Sequence, residues 1–318
     1  MVLLVILVKK VGADQITLAL NRLGPIKFIL LMIFPMSWYF LQSWAWYRIL
    51  QDDGIPISFT HILLTKLTGE ALNTITPAGF MGGDPYRVYL LQKKIPGTVS
   101  LSSVVIDRTM QTLAVAFLMV MTLVLALINL PLSPELKFIL PLTVVILLLL
   151  TLLFIHYQKK GFFGFLGKIL IALRIKSLKD TAFLKKLEDL DIQVNRFYKK
   201  HPIHFYEIFV LQLLGRFLGT IEIWLMAWLM GFKIGLLPSL YLSALTILIN
   251  IVFVFIPGSI GVMEGGYGFL FHLLKMDLAQ GVTLQLVRRI RSIFYVLIGL
   301  LIILIYQPSK NNPIKSAV

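Results

Sequence analysis

The chain lacks cysteine altogether, which excludes disulfides and thiolate chemistry. It is also short of charge: Asp, Glu, Lys and Arg make up only 14% of 318 residues, against 58% hydrophobic ones. A soluble domain cannot bury that much apolar surface, whereas a bilayer can cover it. The apolar runs carry no alternation of period two, which argues against a membrane barrel; backbone in lipid then closes its hydrogen bonds in helices. Acidic residues are scarce, 15 against 30 Lys and Arg. The resulting excess of +15 gathers in loops, as at cytoplasmic flanks facing anionic lipid, so nucleic acid is not expected as a partner. Five scattered histidines show no metal-ligand spacing, and His201 and His204 merely flank Pro202. No Walker or dinucleotide loop and no nucleophile elbow is present, so neither a metal nor a cofactor is expected.

What the chain does have is a series of long apolar segments. Spans are expected at about 26–47, 99–128, 138–157, 203–230 and 284–306, with 240–256 leading into a broken motif. Residues 2–8 are apolar but too short to span. Residues 59–75 have helical character but include Lys66, Glu70 and Asn73, which are unsuited to lipid. The one long polar insert, 158–202, is basic and belongs inside by the positive-inside rule. It is expected to hold two amphipathic interfacial helices, one around Phe162–Leu173 and one around Phe183–Phe197. Asp189 and Asp191 have the spacing of a sugar-nucleotide metal site, but on such a helix they read as a solvated face.

Two stretches interrupt this pattern with helix breakers. One runs Pro77-Ala-Gly79-Phe-Met-Gly82-Gly83-Asp84-Pro-Tyr-Arg87; the other runs Pro257-Gly258-Ser-Ile-Gly261-Val-Met-Glu264-Gly265. Pro77 and Pro257, Asp84 and Glu264, and Arg108 and Arg288 are each separated by 180 residues, as are Gln42 and Glu222. Paired breaks in corresponding halves point to a transporter's binding site. The fold expected is therefore an all-α integral membrane protein of about six transmembrane helices. Two re-entrant helical hairpins complete an inverted repeat, with halves at about 26–128 and 203–306 in a single domain spanning 1–318. Gly79, Gly82, Gly83, Gly258, Gly261 and Gly265 serve as hinge positions for close approach.

Ionisable groups inside such segments are costly, about 2.5–3.5 kcal/mol each at the bilayer centre, so they face protein or a wet cavity. Five carboxylates, Glu70, Asp84, Asp107, Glu222 and Glu264, accompany six arginines, Arg87, Arg108, Arg216, Arg288, Arg289 and Arg291. A static salt-bridge network and a substrate cavity are both compatible with that balance. As a cavity, it is expected to be lined by Asp84, Arg87, Asp107, Arg108, Glu264 and Arg288, supported by Glu70, Asn73, Arg216 and Glu222. Unpaired N–H groups at the broken helix ends are expected to hold an anion. Arg108 and Arg288 are the expected phosphate ligands, because guanidinium offers two parallel donors. Each is also expected to hold a carboxylate that its loss would strand.

These motifs, with Asn73 ahead of Pro77 and Asp107-Arg108 after it, resemble the flippase-like transmembrane family. That family comprises the membrane region of lysylphosphatidylglycerol synthases and its stand-alone relatives, and the resemblance runs from about residue 20 to 306. It implies movement of an amphipathic lipid between leaflets of the cell (inner or plasma) membrane: an aminoacylated or anionic phospholipid, or a polyprenyl-phosphate-linked lipid. It also implies membrane lipids as partners, with an envelope-lipid synthesising enzyme as a further one. The first hydrophobic segment is shorter than the family pattern, and no aminoacyl-transferase domain is seen, so lipid aminoacylation by this chain is not expected. A membrane-embedded enzyme acting on lipid-linked sugar or phosphate, or an envelope-enzyme scaffold, are the alternatives.

Overall fold

The computed structural model describes residues 13–52, 54–76, 80–165, 181–200, 202–254, 256 and 259–306. Among them there are eleven major helices and no strand. These are α1 (Ala13–Ile33), α2 (Pro35–Asp52), α3 (Phe59–Ile75), α4 (Phe80–Leu91), α5 (Gly97–Asn129) and α6 (Pro134–Lys159). They continue with α7 (Thr181–Lys200), α8 (Pro202–Leu229), α9 (Leu236–Val252), α10 (Val262–Leu273) and α11 (Leu278–Ile305). The apolar stub at 2–8 and the breakers Pro77, Gly79, Pro257 and Gly258 lie outside the described residues.

Local chemistry sets the helix ends. Ser58, Ser133 and Asp277 each accept a hydrogen bond from a backbone N–H in the first turn they cap. Four stretches are long and apolar enough to cross a membrane: Leu23–Gln51, Gly97–Asn129, Pro134–Gln158 and Ile203–Leu229. The first is interrupted at Phe34, and α11 has 28 residues but bears Arg288, Arg289 and Arg291 in its first half. The expected count of six spans is thus supported at four.

The two breaks have the same form. A 17-residue helix, α3 or α9, stops short of its proline, and a 12-residue helix, α4 or α10, resumes beyond it. At the first break, backbone meets backbone. A Cβ on Gly83 would lie 1.9 Å from the Gly69 carbonyl oxygen and 2.5 Å from Asn73 Oδ1, so only glycine lets α4 seat on α3. Asn73 Oδ1 accepts from the Gly83 N–H at 2.9 Å and locks that contact. Gly265 in α10 has open space where its Cβ would point. Gly83→Ala is therefore expected to destabilise by roughly 1–3 kcal/mol through overpacking. Gly265→Ala should be neutral or stabilising by a few tenths of that range, since alanine favours helix. Thermal unfolding of both variants in detergent checks this contrast.

α8 packs along α2, and α11 lies against both α3 and α10. One apolar core joins α1, α8, α9, α10 and α11 through Leu31, Met226, Leu242, Phe271 and Leu284. A second joins α2, α3, α5, α7 and α8 through Trp46, Ile49, Ile62, Met110, Val194 and Ile208. Here α7 departs from the expected interfacial helix. Its Leu190, Val194 and Phe197 are buried in that second core rather than laid on lipid. Asp191 is no solvated face either: its carboxylate accepts from the N–H groups of Phe163 and Gly164 at 3.0 and 2.7 Å, capping the turn after α6. Burial pushes the Tyr198 hydroxyl up to about 12, so it stays protonated and donates to Gln158 Oε1 at 3.1 Å. The rest of the first expected interfacial helix, Ile169 and Leu173 included, lies outside the described residues.

Candidate functional site

The charged residues gather around one cavity of about 1700 Å³. Both breaks contribute to its wall. Glu70, Asn73, Asp84 and Arg108 come from the first, and Asn250, Ser259, Arg288 and Arg289 from the second; Arg216 of α8 and Arg291 complete the polar lining. Its flanks are apolar, and several lining residues, among them Ile75, Leu101, Phe154, Ile251 and Ile293, are also exposed on the outside of the helix bundle. The cavity thus runs from a charged interior to an apolar rim that is exposed at the protein surface.

The first-break cluster is built on α3, α4 and α5. Arg108 reaches Asp84 with two parallel donors, Nε to Oδ2 at 2.7 Å and Nη2 to Oδ1 at 2.6 Å. It also donates to Glu70 Oε1 at 2.8 Å and Gln111 Oε1 at 2.9 Å. Behind this wall, Asp107 is fully buried and takes four donors: Lys66 Nζ at 3.2 Å, Arg87 Nη2 at 2.5 Å, Gln111 Nε2 at 2.9 Å and Gln212 Nε2 at 2.8 Å. Arg87 is itself fully buried, its guanidinium 3.9 Å above the Trp46 ring, and also touches Asp84 at 3.3 Å. Lys66 additionally donates to the Gln42 carbonyl at 3.2 Å. Its importance was not read from the sequence, although a lysine in the middle of an apolar helix was the available signal.

The second-break cluster is organised differently. Glu264 turns back to accept from the Gly261 N–H at 2.7 Å, with Gly261 at φ 84° starting α10. Its other oxygen takes Arg289 Nη2 at 2.6 Å and Nε at 2.8 Å. Glu222 of α8 pairs with Arg291 at 2.9 Å and accepts from Trp38 Nε1 at 2.9 Å. Among the described residues, Arg288 finds only neutral oxygens, donating to Thr246 Oγ1 and Gln285 Oε1 at 3.2 Å each and to the Tyr267 hydroxyl.

Of the N–H groups expected to hold an anion at the broken helix ends, those of Gly83 and Gly261 are taken by Asn73 and Glu264. Two expectations need correction. The partner of Glu264 is Arg289 rather than Arg288. The 180-residue register points to Arg288, but one helical position, about 100°, decides which arginine faces the carboxylate. Arg288 consequently holds no carboxylate among the described residues, so its loss would strand none. Of the residues assigned to the site, Glu70, Asn73, Asp84, Arg108, Arg216 and Arg288 line the cavity. Arg87, Asp107, Glu222 and Glu264 stand behind its wall.

Counted by partner, Lys66, Arg87 and Arg108 balance Glu70, Asp84 and Asp107; Arg289 balances Glu264, and Arg291 balances Glu222. Arg216 and Arg288 are left without a carboxylate among the described residues, and in both the Nε is buried without a hydrogen-bond partner.

Residues 1–299 match the family model described as the lysylphosphatidylglycerol synthase TM region. The chain belongs to that family. Among its relatives is a UPF0104 membrane protein of Methanocaldococcus jannaschii, 33% identical over 104 residues, which are 32% of this chain and 31% of that protein. Another is a UPF0104 membrane protein of Methanothermobacter thermautotrophicus, 26% identical over 116 residues, or 36% of this chain and 34% of the relative. The matched segments span about a third of the length of these curated relatives. No solved structure matches. As a member of the lysylphosphatidylglycerol synthase transmembrane-region family, the chain is a multi-helix membrane protein, and a role connected with membrane lipid follows from that membership.

Proposed function

We propose that this chain is a lipid translocase, carrying a phosphate-bearing amphipathic lipid between the leaflets of the cell membrane. The observation that carries this reading is a cavity lined by charges from both breaks and rimmed by exposed apolar residues. A headgroup in such a space exchanges water for fixed arginines and carboxylates, while its chains stay in the bilayer through the rim. The equal lengths of the two broken helix pairs support a repeat, with α3–α4 and α9–α10 as re-entrant hairpins. With the basic insert placed inside, the first hairpin opens to the cytoplasm and the second outward, so the halves are inverted. The remaining spans would then come from α11 and the α9 region beside the four clear ones. An enzyme that synthesises an envelope lipid is a fitting supplier of substrate.

The test is leaflet-resolved transport by purified protein in liposomes, using lipids labelled in the headgroup and a dithionite-type quench of the outer leaflet. Protein-containing vesicles should expose inner-leaflet label well above protein-free ones. Equal rates with and without protein, for every phosphate-bearing lipid tried, would remove the translocase reading.

A further inference from the structure

Among the described residues, the five ion-paired cations of the site have carboxylate partners, and Arg216 and Arg288 have none. Both line the cavity. The neutral oxygens of Thr246, Gln285 and Tyr267 orient Arg288 without cancelling its charge. A half-buried cation with no carboxylate at ion-pair distance is unfavourable, and the site's seven cations against five carboxylates leave a charge of two for a ligand to complete. We infer that the cavity selects a lipid headgroup carrying two negative charges, a phosphate monoester or a diphosphate, with Arg216 and Arg288 supplying its counter-charge. This inference rests on the translocase reading for the lipid nature of the ligand.

The arithmetic separates headgroup classes. A phosphate monoester brings about −1.5 to −2 at neutral pH, and a diphosphate at least as much. A phosphodiester such as phosphatidylglycerol brings one charge and leaves the cavity cationic. A lysyl ester adds two ammonium groups to that single phosphate and adds to the excess. The aminoacylated lipid in the family's name is thus the poorest match to this chain's own residues.

The experiment measures binding by the detergent-purified full chain of phosphatidic acid, geranylgeranyl diphosphate, phosphatidylglycerol, lysylphosphatidylglycerol and inorganic pyrophosphate. The two dianionic lipids should bind about tenfold or more tighter than phosphatidylglycerol, and lysylphosphatidylglycerol weakest. Arg216→Gln and Arg288→Gln should each collapse that ratio toward one. Because neither arginine holds a carboxylate, both variants should fold, and their melting temperatures verify it. Equal or tighter binding of phosphatidylglycerol or its lysyl ester, or an unchanged ratio in both variants, overturns the inference. Transport without preference for dianions overturns it while leaving the translocase reading intact. Dianion-selective binding without transport has the opposite consequence. Pyrophosphate binding as tightly as the prenyl diphosphate would make the ligand a soluble anion and sink both.

Discussion

Asp107→Ala is expected to cost this protein its folded state. Four donors from α3, α4, α5 and α8 converge on that carboxylate, which is fully buried together with Lys66 and Arg87. Removing it leaves Lys66 with no anion and Arg87 with only its 3.3 Å contact to Asp84, both fully buried, a loss of about 3–5 kcal/mol. Against a typical total stability of about 5–15 kcal/mol, that is enough to shift the chain toward aggregates. The pair Lys66→Met with Asp107→Asn removes one charge of each sign and keeps the shape, so it should recover part of the loss. Size-exclusion profiles and melting temperatures at matched expression check both. A monodisperse Asp107→Ala protein melting with the parent would contradict the hub role.

The second large effect is an asymmetry between Arg108 and Arg288, positions that the sequence presents as equivalents. Arg108→Ala strands Glu70 and half-strands Asp84, which keeps only its 3.3 Å contact with Arg87. Glu70 and Asp84 retain some exposure to the cavity, 24% and 17%, so hydration softens the cost to roughly 2–3 kcal/mol. Arg288→Ala strands no acid and should leave stability within about 1 kcal/mol. Its transport per folded molecule should nonetheless fall roughly tenfold to a hundredfold, because a fixed phosphate partner is lost. Arg288→Lys retains the charge without the forked donors and should fall between. Liposome transport normalised to folded protein, read beside the melting temperatures, separates these outcomes. Parental transport by Arg288→Ala would exclude that arginine as a ligand.

The fold was legible wherever hydrophobicity and helix breakers speak locally. The expected segment 59–75 coincides with α3, and the spans near 99–128, 138–157 and 203–230 match α5, α6 and α8 within a few residues. Composition could not reveal that the amphipathic α7 has a protein groove to fill, because an apolar stripe looks the same whether lipid or Met110 covers it. At the site, the expense of intramembrane charge singled out ionisable residues, of which Glu70, Asp84, Arg108, Arg216 and Arg288 line the cavity. Their partners were beyond reach, since pairing turns on rotation about a helix axis. Arg288 and Arg289 are adjacent in sequence, yet one caps a carboxylate and the other faces only neutral oxygens. Lys66 escaped notice as a site residue for a related reason: its anion, Asp107, is 41 residues away and on another helix.

The contact between Gly69 and Gly83 has a mechanical consequence. With carbonyl, amide and the Asn73 side chain interlocked, sliding or parting α3 from α4 would break a main-chain contact, so the pair is expected to be stiff. In the second hairpin, the comparable close approach at Gly266 is to the end of the Ile249 side chain, which can rotate out of the way. The softer joint is therefore expected between α9 and α10, while α10 is held to α11 by the close approach of Gly281 to the Tyr267 carbonyl.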